Sequence, residues 1–297
     1  MTRGTVLHSA VRIARERGLS ALPKAIGEHV RSEALERKET RVKPALRYTT
    51  NRIKYGSAAP KRYRLVHIDP TEVDRLLMPH FWYRASNFGS HIRNGDWDRR
   101  NSDKRVMLNG RYEGIDEPTL IELENYGLYT AAKEHFTHGT KWADTDFYRW
   151  VTDEWLPSDP DTDQNWYGSR ERVQSALRRF DDIYHHIERH GYMTQRELSE
   201  RDEAPTETPD LVPEHHEVAV NIGRDGELIF DDGRHRFIAA RILGLETIPV
   251  RVLVRHREWQ RLRTIANDAS SRTDLAKRVE KHFRHPDMQD VRPYNAC

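Results

Sequence analysis

The run Asp231-Asp232-Gly233-Arg234-His235-Arg236 puts two carboxylates, a turn residue and three basic or donor side chains into six consecutive positions. It follows "ELIF", which reads as a strand, and precedes "FIAARILGL", whose apolar spacing reads as a helix. The six residues therefore make a strand-to-helix corner. The first N–H groups of a helix lack partners within it, and the helix dipole is positive there. Glycine at the corner lets a ligand approach the backbone, so the arrangement suits an anion such as phosphate. Gly233, Arg234, His235 and Arg236 are the candidate phosphate ligands. Two carboxylates beside them would repel phosphate unless a metal or proton intervened. Asp231 and Asp232 are accordingly candidate catalytic groups, with Asp232 the candidate Mg²⁺ ligand. The plainer reading has Asp232 capping the helix while Arg234 and Arg236 pair with surface acids.

Other candidates surround this corner. Glu217, at the start of the preceding strand, is a candidate general base. Arg255 and His256, at the end of a later strand, are candidates to border the phosphate pocket. Trp259 and Arg263 share a helix face, where packing is the simpler role for the ring. "NGDWD" (94–98) combines a glycine turn, an aromatic ring and two acids, which fits a ligand loop or a side-chain-capped turn around a buried Trp97. His186 and His190 lie four apart on a helix, but the residues between them do not give the His-Glu-x-x-His order of a metalloprotease. Neither a Gly-x-x-x-x-Gly-Lys-[Ser/Thr] loop nor a Gly-x-Ser-x-Gly elbow occurs.

The elements that must position these residues are legible to different degrees. "EVAVNIG" and "ELIFDD" read as a hairpin around "RDG". "RHRFIAARILGL" reads as a helix stopped at Gly244, "TIPVRVLV" as a buried strand and "REWQRLRTIAND" as an amphipathic helix. Residues 169–192 read as a helix whose apolar face carries Val173, Leu177, Phe180, Ile183, Tyr184 and Ile187, with Gly191 as its stop. "YRLVHIDP" (63–70) reads as a strand and "TEVDRLL" as a helix capped by Thr71. Between about 79 and 168 lie six of the seven tryptophans, with helices expected near 118–136 and 145–155. Most of these rings are expected in the core. Residues 5–37 read as two short helices, and "ELSERDEAPTETPDLVPEHH" as an exposed loop.

The chain has 297 residues, of which 36% are hydrophobic and 32% charged, so its core is modest and its surface heavily charged. No apolar run is long enough for a membrane span, and no secretory leader is evident, so a cytoplasmic location is expected. Cys297 is the one cysteine, which excludes an intrachain disulfide or a thiolate zinc site. A net charge of +2 conceals a division. Residues 1–64 carry 16 basic and 5 acidic side chains, whereas the rest carry 33 and 42. A basic arm of this kind suits phosphate contacts with DNA.

The order of elements resembles the ParB/sulfiredoxin-like superfamily. There a strand leads through a Gly-x-[His/Arg]-Arg turn into a helix with small residues, then "LG" and "IPV". This chain has Gly233-Arg234-His235-Arg236, Ala239-Ala240, Leu243-Gly244 and Ile248-Pro249-Val250. The likeness covers roughly 63–77 and 170–262 and is distinctive over about 40 residues. It implies an α/β (α+β) fold with a small mixed sheet and packed helices. The basic helical arm would span 1–62, the domain 63–262 with an insertion at about 79–168, and a helical tail 263–297. It further implies nucleotide binding, ATP or CTP, with the phosphates over the Gly233–Arg236 turn and Mg²⁺ beside them. The expected activity is phosphoryl transfer or nucleotide hydrolysis; the alternative is a non-catalytic DNA-binding regulator using residues 1–62. Sulfiredoxins carry their cysteine at the position of Arg234, so that repair chemistry is excluded. About 40 residues follow His256, too few for the reader and dimer domains of partition proteins. "DGRHR" also resembles the DGQHR string of proteins associated with DNA phosphorothioation, with Arg234 replacing Gln.

Overall fold

In the computed structural model, the described residues are 43–61, 63–79, 91–108, 113–156, 168–201, 213–269 and 277–291. The helices expected within 5–37 lie outside them, as does most of the basic arm. The arm's described part, 43–61, holds the helix α1 (Lys43–Tyr55) and a 3₁₀ turn, Gly56–Ala58.

An α/β fold is built on one mixed sheet of eight strands. The strands are β1 (Leu65–Ile68), β2 (Arg75–Met78), β3 (His91–Arg93), β4 (Asn101–Ser102), β5 (Thr119–Glu122), β6 (Ala219–Ile222), β7 (Leu228–Asp232) and β8 (Ile248–His256). Their order is β1-β8-β6-β7-β2-β5-β4, and β3 adds to β8. β6 and β7 form the expected antiparallel hairpin, and β8 runs parallel to β6. Strand side chains alternate between faces, and the core divides accordingly. Leu76, Ile121, Val220, Phe230, Val250 and Val252 belong to the main cluster, which includes the helices. Leu77, Leu120, Ala219, Ile229 and Leu253 gather with Trp97 in a smaller second cluster.

Four helices lie between β5 and β6 in the chain. They are α2 (Gly127–His138), α3 (Asp146–Arg149), α4 (Arg170–His190) and the short α5 (Gln195–Glu200). The corner itself opens α6 (Arg234–Ile242). α7 (Arg257–Asp268) and α8 (Lys277–Glu280) follow β8. The α4 helix forms as its periodicity predicts, with Ser169 capping its start and Gly191 ending it.

One expected helix, and the first turn of a second whose remainder is α2, are strands instead. "TEVDRLL" opens with a single 3₁₀ turn, Pro70–Glu72, capped by Asp69 rather than Thr71, and continues as β2. The residues 119–122, expected to be helical, form β5. Both strands lie inside the sheet, and Leu76, Leu77 and Ile121 are fully buried. A strand buried on both faces loses its alternation and reads as a short apolar run, which periodicity cannot distinguish from a helix. The expected helix at 145–155 is α3 continued by a π-helical segment, Trp150–Trp155. The expected loop after 196 begins with α5, whose Thr194 and Glu197 form a reciprocal capping box.

The tryptophan-rich stretch is woven into this architecture. It supplies β3, β4 and β5, and Trp97 and Trp155 are buried. Phe136 of α2 stacks on Tyr184 of α4 at 3.8 Å between ring centres, while Trp142 donates to Asp181 at 2.8 Å. Core packing thus accounts for these rings, as expected. Trp82 and Trp166 lie outside the described residues.

Candidate functional site

β7 ends at Asp232, and Gly233 turns the chain into α6 with φ +87. A Cβ at Gly233 would meet the Cα of Val218 at 2.8 Å. The corner therefore requires glycine twice over, for its left-handed backbone and for its close approach to the neighbouring strand. Gly233, not Asp232, is the N-cap, and no side chain caps α6. Asp232 instead accepts from the N–H of Gly233 at 2.7 Å, with its carboxylate largely exposed.

Arg234 stays at this corner and donates to the hydroxyl of Tyr126 at 3.4 Å. Tyr126 is buried, which raises its hydroxyl above the ordinary value while Arg234 opposes the shift. The tryptophan-rich stretch thereby contributes to the corner through a residue that sequence reasoning missed.

The remaining candidates are placed differently. Arg236 turns inward and donates to Glu217 at 2.9 Å and to the carbonyl of Met193, with its guanidinium 4.4 Å from the Tyr192 ring centre. Glu217 accepts from the N–H of Gln195 at 2.5 Å with its other oxygen. Burial pushes its carboxyl up, against the pull of Arg236 and the Gln195 N–H. The expected phosphate ligand and the expected general base thus neutralise each other, and together they anchor the start of α5. His235 stacks on Phe180 at 4.6 Å, and burial, then Arg234 and Arg179, push its ring down to about 3. At neutral pH it brings no positive charge to the corner. Asp231 and Asp232 are adjacent in a strand and point to opposite faces. Asp231 is buried and accepts from Asn221 at 2.7 Å.

Arg255 and His256 do not border the corner. Arg251 pairs with Ala219, next to the corner, whereas Arg255 pairs with Ile222 at the far end of the hairpin. Four residues of strand separate the two arginines by about 13 Å. Arg255 donates to Asp287 at 2.8 and 2.6 Å, while His256 caps α7 and contacts the carbonyl of Gly95 at 3.0 Å. "NGDWD" is equally committed to structure: Asp98 accepts from the backbone of Arg224 at 2.7 Å, and Trp97 is buried. His186 and His190 lie 5.0 Å apart by ring centres.

Arg251 is the second residue that sequence reasoning missed. Its Nε donates to the carbonyl of Glu217 at 3.1 Å, its Nη2 lies 3.6 Å from Asp232, and its buried Nη1 has no partner among the described residues. Burial pulls its guanidinium down, with Asp232, Asp231 and Glu217 opposing. A guanidinium keeps its proton in proteins, so this cost appears as a demand for further acceptors. Its signal in the sequence was one charge inside the apolar run "IPVRVLV".

Among the described residues no group of three or more His, Cys, Asp or Glu side chains is placed to hold a metal ion. Mg²⁺ is commonly held by one or two carboxylates together with substrate phosphates. Asp232 fits such a role, and Asp231, hydrogen-bonded inside the sheet, does not. No helix among the described residues is long and apolar enough to cross a membrane. Comparison with protein-family models, with curated proteins and with solved structures gave no match.

Proposed function

We propose that the Gly233 corner binds the phosphates of a nucleotide such as ATP or CTP, with Mg²⁺ held between those phosphates and Asp232. The observation that carries this reading is one place combining a helix start without a side-chain cap, the Arg234 guanidinium and a buried Arg251 whose Nη1 has no partner among the described residues. Phosphate would accept from the first N–H groups of α6 and from Arg234, and Arg251 would offset the added charge. Tyr126 holds Arg234 in position. Glu217 and Arg236 support the corner from beneath without touching ligand. Mg²⁺, when bound, would neutralise phosphate charge and favour transfer or hydrolysis of a phosphoryl group.

Titration calorimetry with ATP, CTP and tripolyphosphate, each with Mg²⁺, tests the reading. Arg234→Ala is expected to weaken binding about tenfold or more, the scale of one charge-assisted hydrogen bond. Absence of binding by all three ligands at millimolar concentration would overturn it. The charge division supports a second reading, DNA contact through residues 1–62, in which α1 contributes Arg52 and Lys54 from its last turn. That reading requires DNA affinity that falls steeply with salt and disappears when residues 1–62 are removed.

A further inference from the structure

The helix α1 turns polar side chains toward the body of the protein and apolar ones toward water. Asn51 is buried, Tyr48 and Tyr55 are half-buried, and Arg47 donates to His91 of β3 at 2.7 Å. The 3₁₀ turn after the helix is held as well. Gln260 donates to the carbonyl of Ala58 at 2.8 Å, and Ser57 donates to Asn267 at 2.9 Å. Leu46 and Ile53 are left outward, 63% and 82% exposed, and no other large apolar side chain among the described residues exceeds 38%. The two lie about two turns apart on one stripe. Thr49 and Thr50 fill the stripe between them, and their hydroxyls donate back to the carbonyls of Ala45 and Leu46 at 3.0 and 2.9 Å. Arg52 and Lys54, both exposed, flank the stripe on opposite sides.

A partner that removes this stripe from water gains by it, and the surrounding charge defines the partner's sign. Residues 43–64 contain seven basic and no acidic side chains, so the partner is anionic. A second copy meeting this one stripe to stripe would set cation against cation. Residues 1–42, with nine basic and five acidic side chains, are no better matched. The phosphate contacts of a nucleic acid would use Arg52 and Lys54 but give Leu46 and Ile53 no apolar surface. A specific protein interface carries about one hydrogen bond per 100–200 Å², whereas the threonine donors of this stripe are spent within the helix. An anionic lipid leaflet meets both requirements, headgroup charge for the cations and acyl surface for the apolar pair, and asks for no hydrogen-bond pattern. With 13 residues, α1 is too short to span a bilayer and would lie along its surface.

We propose that the outer stripe of α1 docks the protein on an anionic phospholipid surface. Leu46 and Ile53 enter the boundary between headgroups and acyl chains, and Arg52 and Lys54 meet the lipid phosphates. This docking is independent of nucleotide binding at the Gly233 corner.

Flotation of the full chain with vesicles of phosphatidylcholine, alone or with about one-third phosphatidylserine, tests the docking. Binding to the phosphatidylserine vesicles is expected to be about tenfold or more tighter and to weaken as salt rises. Leu46→Ser combined with Ile53→Ser should reduce that binding about tenfold, and thermal melts establish that the variant is folded. Ile53→Trp should retain binding, and its added fluorescence should move to shorter wavelength on phosphatidylserine vesicles but not on duplex DNA. Vesicle binding that survives the double serine substitution belongs to basic charge outside the stripe and overturns the docking. Absence of vesicle binding overturns it too, and DNA affinity or self-association lost in the same double variant would then identify the partner instead. Tripolyphosphate affinity is expected to be the same in wild type and both variants, so the docking and the Gly233 reading fail separately.

Discussion

Arg236 donates to Glu217 across 2.9 Å, with the Glu217 side chain fully buried and that of Arg236 nearly so. The two residues lie 19 positions apart, and each has a separate chemical use on paper. In the fold they cancel each other's charge and hold the segment from Met193 to Gln195. Removing one partner leaves an uncompensated charge in the interior, which costs about 3–5 kcal/mol. Glu217→Leu and Arg236→Met are each expected to lose stability on that scale in urea melts, while the double variant recovers much of the loss. A folded Arg236→Met protein with unchanged stability and no affinity for tripolyphosphate would instead make Arg236 a phosphate ligand.

Gly233→Ala tests the corner directly. The substitution forces a side chain into a left-handed backbone and against Val218, a strain of about 1–3 kcal/mol. Relieving that clash with Val218 requires the corner to shift, which displaces the N–H groups at the start of α6. A lower melting temperature together with loss of tripolyphosphate binding is expected. Retained binding in a folded variant would place the phosphate elsewhere.

Local chemistry made the corner readable. The hairpin, the turn at Gly233, α6 and β8 all carry their signals within a few residues, so propensity and pattern agree. β2 and β5 did not, because Leu76, Leu77 and Ile121 are buried by neighbours distant in sequence. The same limit applies to the site. Nothing in "GRHR" distinguishes Arg234, which remains at the corner, from Arg236, which is consumed by Glu217. Tyr126 reaches Arg234 across 108 positions, and Arg251 acquires its role from contacts with Glu217 and Asp232. Residue type proposed the chemistry, and tertiary packing decided which side chains were available for it.

His235 gives a pH signature. The folded ring titrates at about 3 because it is buried and faces Arg234 and Arg179, whereas the unfolded chain takes up that proton near pH 6.5. The stability associated with the neutral ring is therefore complete above pH 6.5 and declines as pH falls toward 3. At pH 5 the decline amounts to about 2 kcal/mol. His235→Phe preserves an aromatic ring against Phe180 and removes the titration. The stability difference between pH 7 and pH 5 should shrink by about 2 kcal/mol in the variant, measured by urea melts at both pH values. His91, also pushed down to about 3, accounts for part of the dependence that remains. An identical pH difference in wild type and variant would show that His235 is not held neutral.

Asp287 joins the C-terminal segment to the sheet. Its buried carboxylate accepts from Arg255 at 2.6 and 2.8 Å and from the indole of Trp259 at 3.0 Å, and it lies 3.2 Å from both Arg64 and Arg263. Burial pushes this carboxyl up, but Arg255, Arg263 and Arg64 outweigh it and hold the group far below the ordinary carboxylate range. An unfolded aspartate takes up its proton near pH 3.9, so the stabilisation is complete above that value. It is lost as pH falls below it, at about 1.4 kcal/mol per pH unit. Asp287→Asn abolishes this titration and leaves Arg255 and Arg263 facing one another without their shared anion. The variant should lose about 3–5 kcal/mol at pH 7 and show a shallower acid slope than wild type below pH 4. Trp259 fluorescence reports the same event locally, since its indole loses a charged acceptor. A variant with wild-type stability at pH 7 would mean that the three arginines do not depend on Asp287, and that the C-terminal segment is held by its apolar contacts, Met288 and Val291, instead.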